Sequence, residues 1–218
     1  MYVIKIGGSL YPEYIDPIIE VLDQIEEKIV LVNGGGELAN KLREYDQINH
    51  YSSDTNHWMA IKCMDIIAGL ISDKYENVIL VDNFDNIKEA HENNKIPLVL
   101  TYDLLKRIDP LEHTWDVTSD SIACWICSQL NAKLLILTNV NGIYNGNICN
   151  SNKKLIEKIS ANELLIFEET SVDKCLPKLL IKYNLDCFVL NGKYPDRLLA
   201  LTSSDSKIEN IYTYIGGK

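Results

Sequence analysis

The amino-acid sequence predicts an α/β fold, a three-layer αβα sandwich around a mainly parallel central sheet. Short apolar runs alternate with amphipathic helical segments along the chain, a pattern that is typical of parallel strands joined by right-handed crossover helices. Several runs are apolar at every position, as expected for strands that helices cover on both faces. With 218 residues, of which 46% are hydrophobic, the chain can bury a sizeable core. We expect a single domain over residues 1–218.

Four strands and four helices are expected in the first half of the chain. The strands are predicted at residues 3–6, 29–32, 78–81 and 96–100. The helices are predicted at residues 15–27 and 53–75, after residue 81, and in the segment of Leu38, Leu42 and Tyr45. Ser53 or Asp54 is the expected N-cap of the long helix. Pro97 cannot donate to a strand ladder, so its strand is expected to be edge-like or slightly offset.

The second half continues the same alternation. Residues 109–115 are rich in charge and turn formers, which favours a loop, and a helix is expected to begin at Thr118 or Ser119. Further strands are predicted at residues 134–137, 187–190 and 211–215. Helices are predicted at residues 160–167, 174–183 and 195–201, the last with Pro195 at its first position. Residues 142–154 are expected to form a loop or hairpin.

Charge and hydropathy exclude several classes of protein. The chain carries 31 acidic and 21 basic residues, a formal net charge of −10, so a broad nucleic-acid interface is not expected. No apolar run reaches the ~20 residues that a membrane helix requires. The N-terminal residues lack the pattern of a signal peptide. We therefore expect a cytoplasmic protein without membrane or nucleic-acid partners.

The six cysteines are expected to be reduced thiols. Cys124 and Cys127 have the spacing of a metal or redox pair, but no second pair is present to complete a zinc site. They also lie inside an apolar helical pattern instead of opening a helix, where a thiolate would be stabilised. The pair is better explained as small core residues. No metal-ligating residues are predicted.

Two glycine clusters follow the first two predicted strands, Gly7-Gly8 and Gly34-Gly35-Gly36. Ligands of parallel sheets bind outside the carboxyl ends of the strands, and glycine lets the main-chain N–H groups approach an anion. A tight turn would explain one such cluster alone, whereas two of them favour a phosphate-bearing ligand. Neither the P-loop motif nor the dinucleotide fingerprint is present. Lys5, two residues before the first cluster, is either an edge lysine that reaches solvent or the partner of an anion.

The order of these motifs resembles that of the amino acid kinase superfamily. The matching segments are residues 5–9 (KIGGS), 32–36 (VNGGG), 118–123 (TSDSIA), 137–144 (LTNVNGIY) and 175–178 (CLPK). The resemblance spans nearly the whole chain. It implies the carbamate-kinase-like fold, with an acceptor-binding lobe over about residues 1–115 and a nucleotide-binding lobe over about 116–218. It also implies ATP and Mg²⁺ as cofactors, a small-molecule substrate and a homo-oligomer.

The resemblance assigns roles residue by residue. The catalytic residues are expected to be Lys5 at the transferring phosphoryl group, Asp120 to position the lysines, and Lys178 at the outer phosphates of ATP. Asp120 could otherwise be only a helix-capping residue, and Lys174 competes with Lys178 because the glycines usual in this segment are replaced. The residues expected to bind ATP are Gly7, Gly8, Ser9, Thr118, Ser119, Thr138, Asn139, Val140, Gly142, Tyr144 and Lys174.

The acceptor site has less specific signals. Gly34, Gly35 and Gly36 are expected to face the acceptor, with Asp54, His57 and Trp58 on one helix face. That face could equally be core, with Asp54 as a cap. Residues 57–61 and 115–123 resemble the small kinases of the methanofuran pathway in methanogenic archaea, which implies [5-(aminomethyl)furan-3-yl]methyl phosphate as the acceptor. Trp58 or Trp115 would then contact the ring or the cation, and Asp54 or Asp116 the amine.

Two alternatives stay open at this stage. A nucleoside monophosphate kinase that acts on UMP or AMP would share the same phosphate motifs. A non-catalytic nucleotide-binding protein would share the fold, although it would have less need of two lysines. Asn33 replaces the proline expected before the triple glycine, which should change the stiffness of the loop and not its chemistry.

Overall fold

The computed structural model describes residues 1–145, 154–202 and 211–218. Within them the strands are β1 (Tyr2–Ile6), β2 (Ile29–Asn33), β3 (Val78–Val81), β4 (Ile96–Val99), β5 (Lys133–Thr138), β6 (Tyr144–Asn145), β7 (Lys154–Leu155), β8 (Lys158–Ser160), β9 (Cys187–Asn191) and β10 (Tyr212–Gly216). Eight of them form one sheet in the order β3–β4–β2–β1–β5–β9–β10–β8. The remaining two, β6 and β7, pair as an antiparallel hairpin.

The helices alternate with these strands. They are α1 (Ile15–Leu22), α2 (Gly36–Asn49), α3 (Ser53–Lys74), α4 (Phe84–Glu92), α5 (Thr101–Ile108), α6 (Ser119–Leu130), α7 (Ala161–Leu164), α8 (Leu176–Tyr183) and α9 (Asp196–Thr202). A single 3₁₀ turn, Gly8–Leu10, precedes α1. None of the described helices is both long and apolar enough to cross a membrane.

The first strand, β1, occupies the middle of the sheet. It pairs in parallel with β2 on one side and with β5 on the other, and all five of its residues are buried. The other ladders are also parallel, except that β10 runs antiparallel to β9. The carboxyl ends of β2, β1, β5 and β9 therefore lie side by side, and the segments that follow them share one edge of the sheet.

Apolar side chains cover both faces of the sheet. On one face Ile4 and Ile6 pack against residues of α1 and α9, such as Ile18 and Leu198. On the other face Val3 packs in a cluster that includes residues of α6 and α8. This arrangement confirms the predicted sandwich with a mainly parallel sheet. The division into an acceptor lobe and a nucleotide lobe stays a prediction.

The expectation of an edge-like position for β4 is wrong, because β4 lies between β3 and β2. The structure also shows how the sheet tolerates Pro97. Ile96 and Leu100 donate their N–H groups toward β3, so the alternate position, Pro97, faces β2. The ladder between β4 and β2 has only one matched pair, Leu31 with Leu98. The N–H that Pro97 lacks would point toward this short ladder, so few hydrogen bonds are lost.

Several helix boundaries also differ from the predictions. The helix α7 ends at Leu164 instead of residue 167, and α9 begins at Asp196, so Pro195 precedes the helix instead of occupying its first position. The N-cap of α3 is Ser52, whose hydroxyl accepts a hydrogen bond from the N–H of Thr55 at 3.2 Å, and not Ser53 or Asp54. The first helix ends at Leu22 instead of residue 27, because the chain then forms turns through residues 24 and 25. The eighth helix begins at Leu176, two residues later than predicted.

The buried cysteines confirm the interpretation as core residues. Cys124 and Cys127 are 0% exposed and pack inside the cluster below α6. Burial raises the pKa of Cys127 to about 12 and that of Cys124 further still, so neither thiol is a ready nucleophile or metal ligand. Cys149 and most of the expected loop at residues 142–154 lie outside the described residues.

Candidate active site

The two glycine loops touch each other at the carboxyl ends of β1 and β2. A Cβ atom on Gly8 would lie 2.4 Å from the main-chain N of Gly36, and one on Gly34 would lie 2.6 Å from the N of Gly8. This approach therefore requires glycine at both positions. In the described part of the chain, the N–H groups of Gly8 and Gly35 donate to no protein acceptor. The loops form one floor of main-chain amides that suits a phosphate group.

Lys5 points from β1 toward the N-terminal end of α6. Its Nζ lies 2.8 Å from Oδ1 of Asp120, and the two side chains are only 10% and 6% exposed. An edge lysine that reaches solvent is therefore excluded, since β1 is an inner strand. Among the described residues, Oδ1 of Asp120 has no hydrogen-bond partner besides this ion pair. Neither Lys5 nor Asp120 is among the residues that line the two cavities described below, and the Lys5 ammonium keeps capacity for further acceptors.

The buried carboxylate of Asp173 organises this region, and sequence analysis did not single it out. Its Oδ2 accepts hydrogen bonds from the main-chain N–H groups of Thr118 and Ser121 and from the Thr118 hydroxyl, at 2.9 to 3.0 Å. Its Oδ1 accepts from the Ser121 hydroxyl at 2.6 Å and the Leu176 N–H at 2.7 Å. Asp173 thereby caps α6 and joins it to the start of α8. Burial, and next the charge of Asp120, raise the pKa of Asp173.

Asn33, at the end of β2, has a structural role in the same region. Its side-chain amide donates to the carbonyl oxygens of Met64 at 2.8 Å and Gly34 at 3.1 Å. These bonds tie the second glycine loop to α3. The replacement of proline by asparagine thus provides a tether between the loop and a neighbouring helix.

A cavity of about 340 Å³ opens above the glycine floor. Many of the predicted site residues face it: Gly8, Ser9, Gly34, Gly35, Gly36, His57, Trp115, Thr118 and Ser119. The hydroxyl of Thr118 is already bonded to Asp173, as described above. Ser119 is the next residue on the same helix end, and its hydroxyl lies close to the loop of Gly34. The cavity therefore joins the phosphate floor to the segments predicted to bind the acceptor.

Trp115 and His57 form part of the outer cavity wall. The indole N–H of Trp115 donates to Oδ2 of Asp46 on α2 at 2.9 Å, and the guanidinium of Arg43 lies 4.9 Å from the Trp115 ring centroid. Glu37 and Arg43 also line the cavity, and sequence analysis missed both. Both residues follow the second glycine loop on α2, and this position in the sequence could have indicated that they lie near the site.

His57 is a neutral imidazole under ordinary conditions. Burial, and next the charge of His113, lower the pKa of His57 to about 4. The His57 ring stacks on the His113 ring with centroids 4.2 Å apart. A neutral imidazole at the cavity wall can donate one hydrogen bond and accept another.

Three residues predicted to contact the acceptor lie outside this cavity wall. Trp58 is 7% exposed and belongs to the core, with the Lys106 ammonium 4.0 Å from its ring centroid. The side chain of Asp54 is 79% exposed and pairs with His113. Asp116 faces a second cavity, described below. Their contact with an acceptor stays a prediction.

The sequence profile of the amino acid kinase family matches residues 1–191. The chain belongs to the amino acid kinase family. It is 34% identical to the [5-(aminomethyl)furan-3-yl]methyl phosphate kinase of Methanocaldococcus jannaschii, over 100% of this chain and 98% of the relative. This match confirms the predicted family and its kinase chemistry, in which a phosphate monoester is the acceptor.

Solved structures of the amino acid kinase family share the fold. A uridylate kinase from Archaeoglobus fulgidus aligns with a TM-score of 0.75 at 17% identity, covering 99% of both chains. An isopentenyl phosphate kinase from T. acidophilum aligns with a TM-score of 0.67 at 18% identity, also over 99% of both chains. The mainly parallel sheet with its helical layers is therefore the fold of this family.

Lys174 and Lys178, the two candidates for the second phosphate-binding lysine expected in this family, line the same cavity. A second cavity of about 220 Å³ lies at the start of α8 and is lined by Lys174, Lys178, Asp116 and Asp173. Asp173 also faces the larger cavity, so the two spaces adjoin. Contact of either lysine with ATP, and a catalytic role for one of them, stay predictions.

The predicted nucleotide segment follows β5, next to the first glycine loop. Gly7 donates its N–H to the carbonyl of Leu137 at 2.8 Å, which joins the ends of β1 and β5. Thr138 ends β5, and Asn139, Val140 and Gly142 lead to Tyr144 in β6. Gly142 has a φ of +144°, and a Cβ there would lie 2.4 Å from Oγ1 of Thr213. These residues share the carboxyl edge of the sheet with Lys5, and their contact with ATP stays a prediction.

Proposed function

We propose that this kinase transfers the γ-phosphoryl group of ATP to [5-(aminomethyl)furan-3-yl]methyl phosphate and releases ADP and the diphosphate. The observation that carries the proposal is the 34% identity to a kinase of that name over the full length of both chains. The geometry supports it, since one cavity joins an amide floor for phosphates to a wall with an indole and an imidazole. A furan ring that bears an ammonium and a phosphate has complementary chemistry.

The chemical step is proposed to be a direct in-line displacement. An oxygen of the acceptor phosphate attacks the γ-phosphorus, the new P–O bond forms, and the bond to the β,γ-bridging oxygen breaks toward ADP. The attacking oxygen already carries negative charge at neutral pH, so no general base is required. The task of the protein is to align two polyanions and to neutralise them.

The residues are proposed to divide this task by position. Lys5, held by Asp120 at 2.8 Å, supplies positive charge where the phosphoryl group passes. The N–H groups of the two glycine loops bind phosphate oxygens on either side of it. Lys178 or Lys174 approaches the outer phosphates of ATP from the adjoining cavity. Lys5 is preorganised by its buried ion pair with Asp120, and the two glycine loops by their close main-chain contact.

The protein offers little to hold a Mg²⁺ ion directly. Of the carboxylates in or near the cavity, Asp120 is paired with Lys5, Asp173 accepts five hydrogen bonds, and Glu37 lines the cavity from α2, where it is assigned to the acceptor below. The fit is therefore to an ion bound through the phosphates of ATP, with Ser9 and Ser119 as neutral oxygen donors at the cavity wall. When bound, Mg²⁺ would offset the charge of the β- and γ-phosphates.

Two charged side chains on α2 are proposed to recognise the ends of the acceptor. Glu37 and Arg43 face the cavity from the helix that follows the second glycine loop. A carboxylate suits the ammonium of the aminomethyl group, and a guanidinium suits phosphate. Arg43 also lies over the Trp115 ring, so the cation and the aromatic wall act as one surface.

We also propose a cytoplasmic homo-oligomer. Apolar side chains of the outer helices support association, since Ile48 on α2 and Ile66 and Leu70 on α3 are 74%, 55% and 53% exposed. Light scattering on the purified protein tests this part, and a monomer at micromolar concentration would contradict it.

The acceptor is tested by direct competition. Purified protein, ATP and Mg²⁺ are incubated with the aminomethylfuran phosphate, UMP and AMP together, and the products are identified by mass. We expect kcat/KM for the furan phosphate to exceed that for either nucleotide by at least about tenfold. A Lys5→Ala preparation, purified identically, controls for contaminating kinases.

Each other result has a definite meaning. A preference for UMP would support the second candidate, a nucleoside monophosphate kinase, which the structural likeness to a uridylate kinase favours. ATP binding with no turnover of any acceptor would support a non-catalytic nucleotide-binding protein and would contradict the proposal.

A further inference from the structure

His113, which sequence analysis did not consider, is held between two carboxylates from different elements. Its Nδ1 lies 2.6 Å from Oδ1 of Asp54 on α3, and its Nε2 lies 2.8 Å from Oδ1 of Asp109, just after α5. The side chain is 19% exposed. An ionised carboxylate can only accept hydrogen bonds, so both ring nitrogens must donate. His113 is therefore an imidazolium in this arrangement.

The surroundings of His113 favour this charge state. Burial alone would lower the pKa of His113, but the hydrogen bonds to Asp54 and Asp109 outweigh it and raise the pKa above its ordinary value. The His113 charge in turn lowers the pKa of Asp54, chiefly through their hydrogen bond. The other titratable groups nearby are His57, which stacks on the ring, and Lys106 on α5.

The segment that carries His113 also forms the cavity wall. Residues 109–117 connect α5 with the start of α6, and Thr114, Trp115 and Val117 from this segment line the acceptor cavity. His113 fastens the segment to α3, and Trp115 fastens it to Asp46 on α2 at 2.9 Å. A third contact is the hydrogen bond of 3.2 Å that the Cys175 N–H donates to the carbonyl of Asp116, so the ionic attachment at His113 is the one that joins the segment to α3.

We propose that His113 is a positioning residue for the acceptor: its bridge between Asp54 and Asp109 fixes residues 109–117 against α3 and so sets the wall formed by Trp115 and His57. The inference rests on the proposed function only in that it concerns the acceptor side of the same cavity. The role of His113 is indirect, because its ring is behind His57 and does not line the cavity.

A metal site is the main competing explanation for the same cluster. Ligand atoms of His57, Asp109 and His113 lie within 4.8 Å of one another. A metal ion would need a lone pair from His113, yet both of its nitrogens are committed to carboxylates. The two imidazole rings are also nearly parallel, 17° apart, which aims their nitrogens alongside each other instead of at one point. The hydrogen-bonded clamp accounts for the geometry without an ion.

The first experiment measures the histidines of the intact wild-type protein by NMR titration. His113 is expected to titrate above the ~6.5 of an unperturbed imidazole and to carry a proton on both nitrogens at pH 7. His113→Asn identifies the signal. A His113 pKa at or below ~6.5, or tight Zn²⁺ binding that the variant loses, would overturn the proposal.

The second experiment separates acceptor binding from ATP binding. With the acceptor that wild type uses best, His113→Asn is expected to raise the acceptor KM by about tenfold, because the wall is loosened, and to leave the ATP KM within about twofold. The acceptor KM of wild type should rise as His113 loses its proton at higher pH, whereas that of the variant should not follow this titration. The matched control is His50→Asn. His50 is an exposed histidine at the end of α2 and has the left-handed backbone conformation, which asparagine tolerates.

The outcomes distinguish this inference from the proposed function. Use of UMP in place of the furan phosphate overturns the proposed acceptor but leaves the KM test intact. If no acceptor is turned over, hydrogen exchange of residues 109–117 replaces the kinetic readout, and faster exchange in His113→Asn than in His50→Asn is expected. Equal acceptor KM values, or equal exchange, in the two variants would overturn the role of His113.

Discussion

The main-chain N–H of Asp173 donates a hydrogen bond of 3.0 Å to Oδ2 of Asp120. Two acidic residues thus lie side by side, and their carboxylates have different partners. Asp120 uses Oδ1 for Lys5, while the carboxylate of Asp173 is enclosed by donors from α6 and α8. The order of contacts runs from Asp173 through Asp120 to the lysine, so the position of the ammonium depends on a buried acid in a loop.

Asp173→Asn tests how much this buried acid supports the fold. An amide presents donors to groups that already donate, so several buried N–H and O–H groups lose their acceptor. We expect the free energy of unfolding in urea to fall by about 3 kcal/mol. Asp85→Asn, an exposed acid in the first turn of α4, should change it by less than about 0.5 kcal/mol. Equal effects of the two changes would show that Asp173 has no such role.

Lys5→Ala should affect turnover far more than nucleotide binding. In the proposed function the lysine charge lies where charge develops during transfer, and loss of one such group is expected to lower kcat by at least about 100-fold. The ATP KM should stay within about threefold, because other groups bind the ground state. Lys28→Ala, at the amino end of β2 and exposed, is the matched control in steady-state assays. Retention of kcat within a few-fold would contradict the assignment.

Gly8→Ala tests the contact between the two glycine loops. The added Cβ would meet main-chain atoms of Gly36 at 2.4 and 2.6 Å, so the loops must separate and the phosphate floor is lost. We expect ATP affinity to fall more than about tenfold in calorimetric titration, together with a lower Tm.

Gly69→Ala is the informative control for the loop change. This glycine lies inside α3, and a Cβ there meets nothing within 4 Å. Alanine should stabilise the helix by up to ~1 kcal/mol and leave activity unchanged. If Gly8→Ala behaved like Gly69→Ala, the close approach of the loops would have no functional importance.

The buried imidazole of His57 makes stability depend on pH in a defined direction. The pKa of His57 in the folded protein, about 4, lies below the value of ~6.5 in the unfolded chain. Between these two pH values His57 is protonated in the unfolded chain and neutral in the folded protein. Protonation of His57 therefore does not affect the free energy of unfolding above about pH 6.5, and it lowers this free energy progressively as the pH falls from about 6.5 toward 4.

His57→Phe removes this proton-linked term while it keeps a ring in the stack. The Tm of the variant relative to wild type is expected to become more favourable as pH is lowered through this range. Thermal unfolding in matched buffers between pH 7.5 and about 4.5 measures the difference, which cancels most other titrating groups. A difference that does not change with pH would show that His57 titrates normally.

Local patterns predicted most of the fold. The apolar runs were sufficient for the inner strands, because a strand buried on both faces has few alternatives. Periodicity was less informative for α2, whose Leu38 and Tyr45 are 42% and 50% exposed although they fall on one apolar face. The place of β4 inside the sheet also could not be inferred, since it depends on which neighbour faces the missing N–H of Pro97.

The sequence predicted the parts of the candidate site whose residues are close together along the chain. It missed the parts that are formed by residues far apart along the chain. The two glycine loops directly follow β1 and β2, and Lys5 lies on β1 two residues before the first loop. Local spacing therefore indicated them as candidates for a phosphate site, and the family resemblance supplied their individual roles. Asp173 bonds to residues 52 and 55 positions away, and His113 bonds to Asp54 across 59 positions. No periodicity relates such pairs, because loop paths and helix packing decide which distant side chains meet.

The floor of the cavity is formed by main chain and its outer wall by side chains, so the two parts can change independently. Its floor consists of glycine main chain anchored to the innermost strands, where almost any side chain would collide. Its outer wall consists of side chains from α2, α3 and residues 109–117, which are fastened by a few polar contacts. Exchange of that segment and its attachment points can therefore reshape the wall without moving the floor. In the proposed function, such an exchange would change the acceptor preference and leave phosphoryl transfer intact.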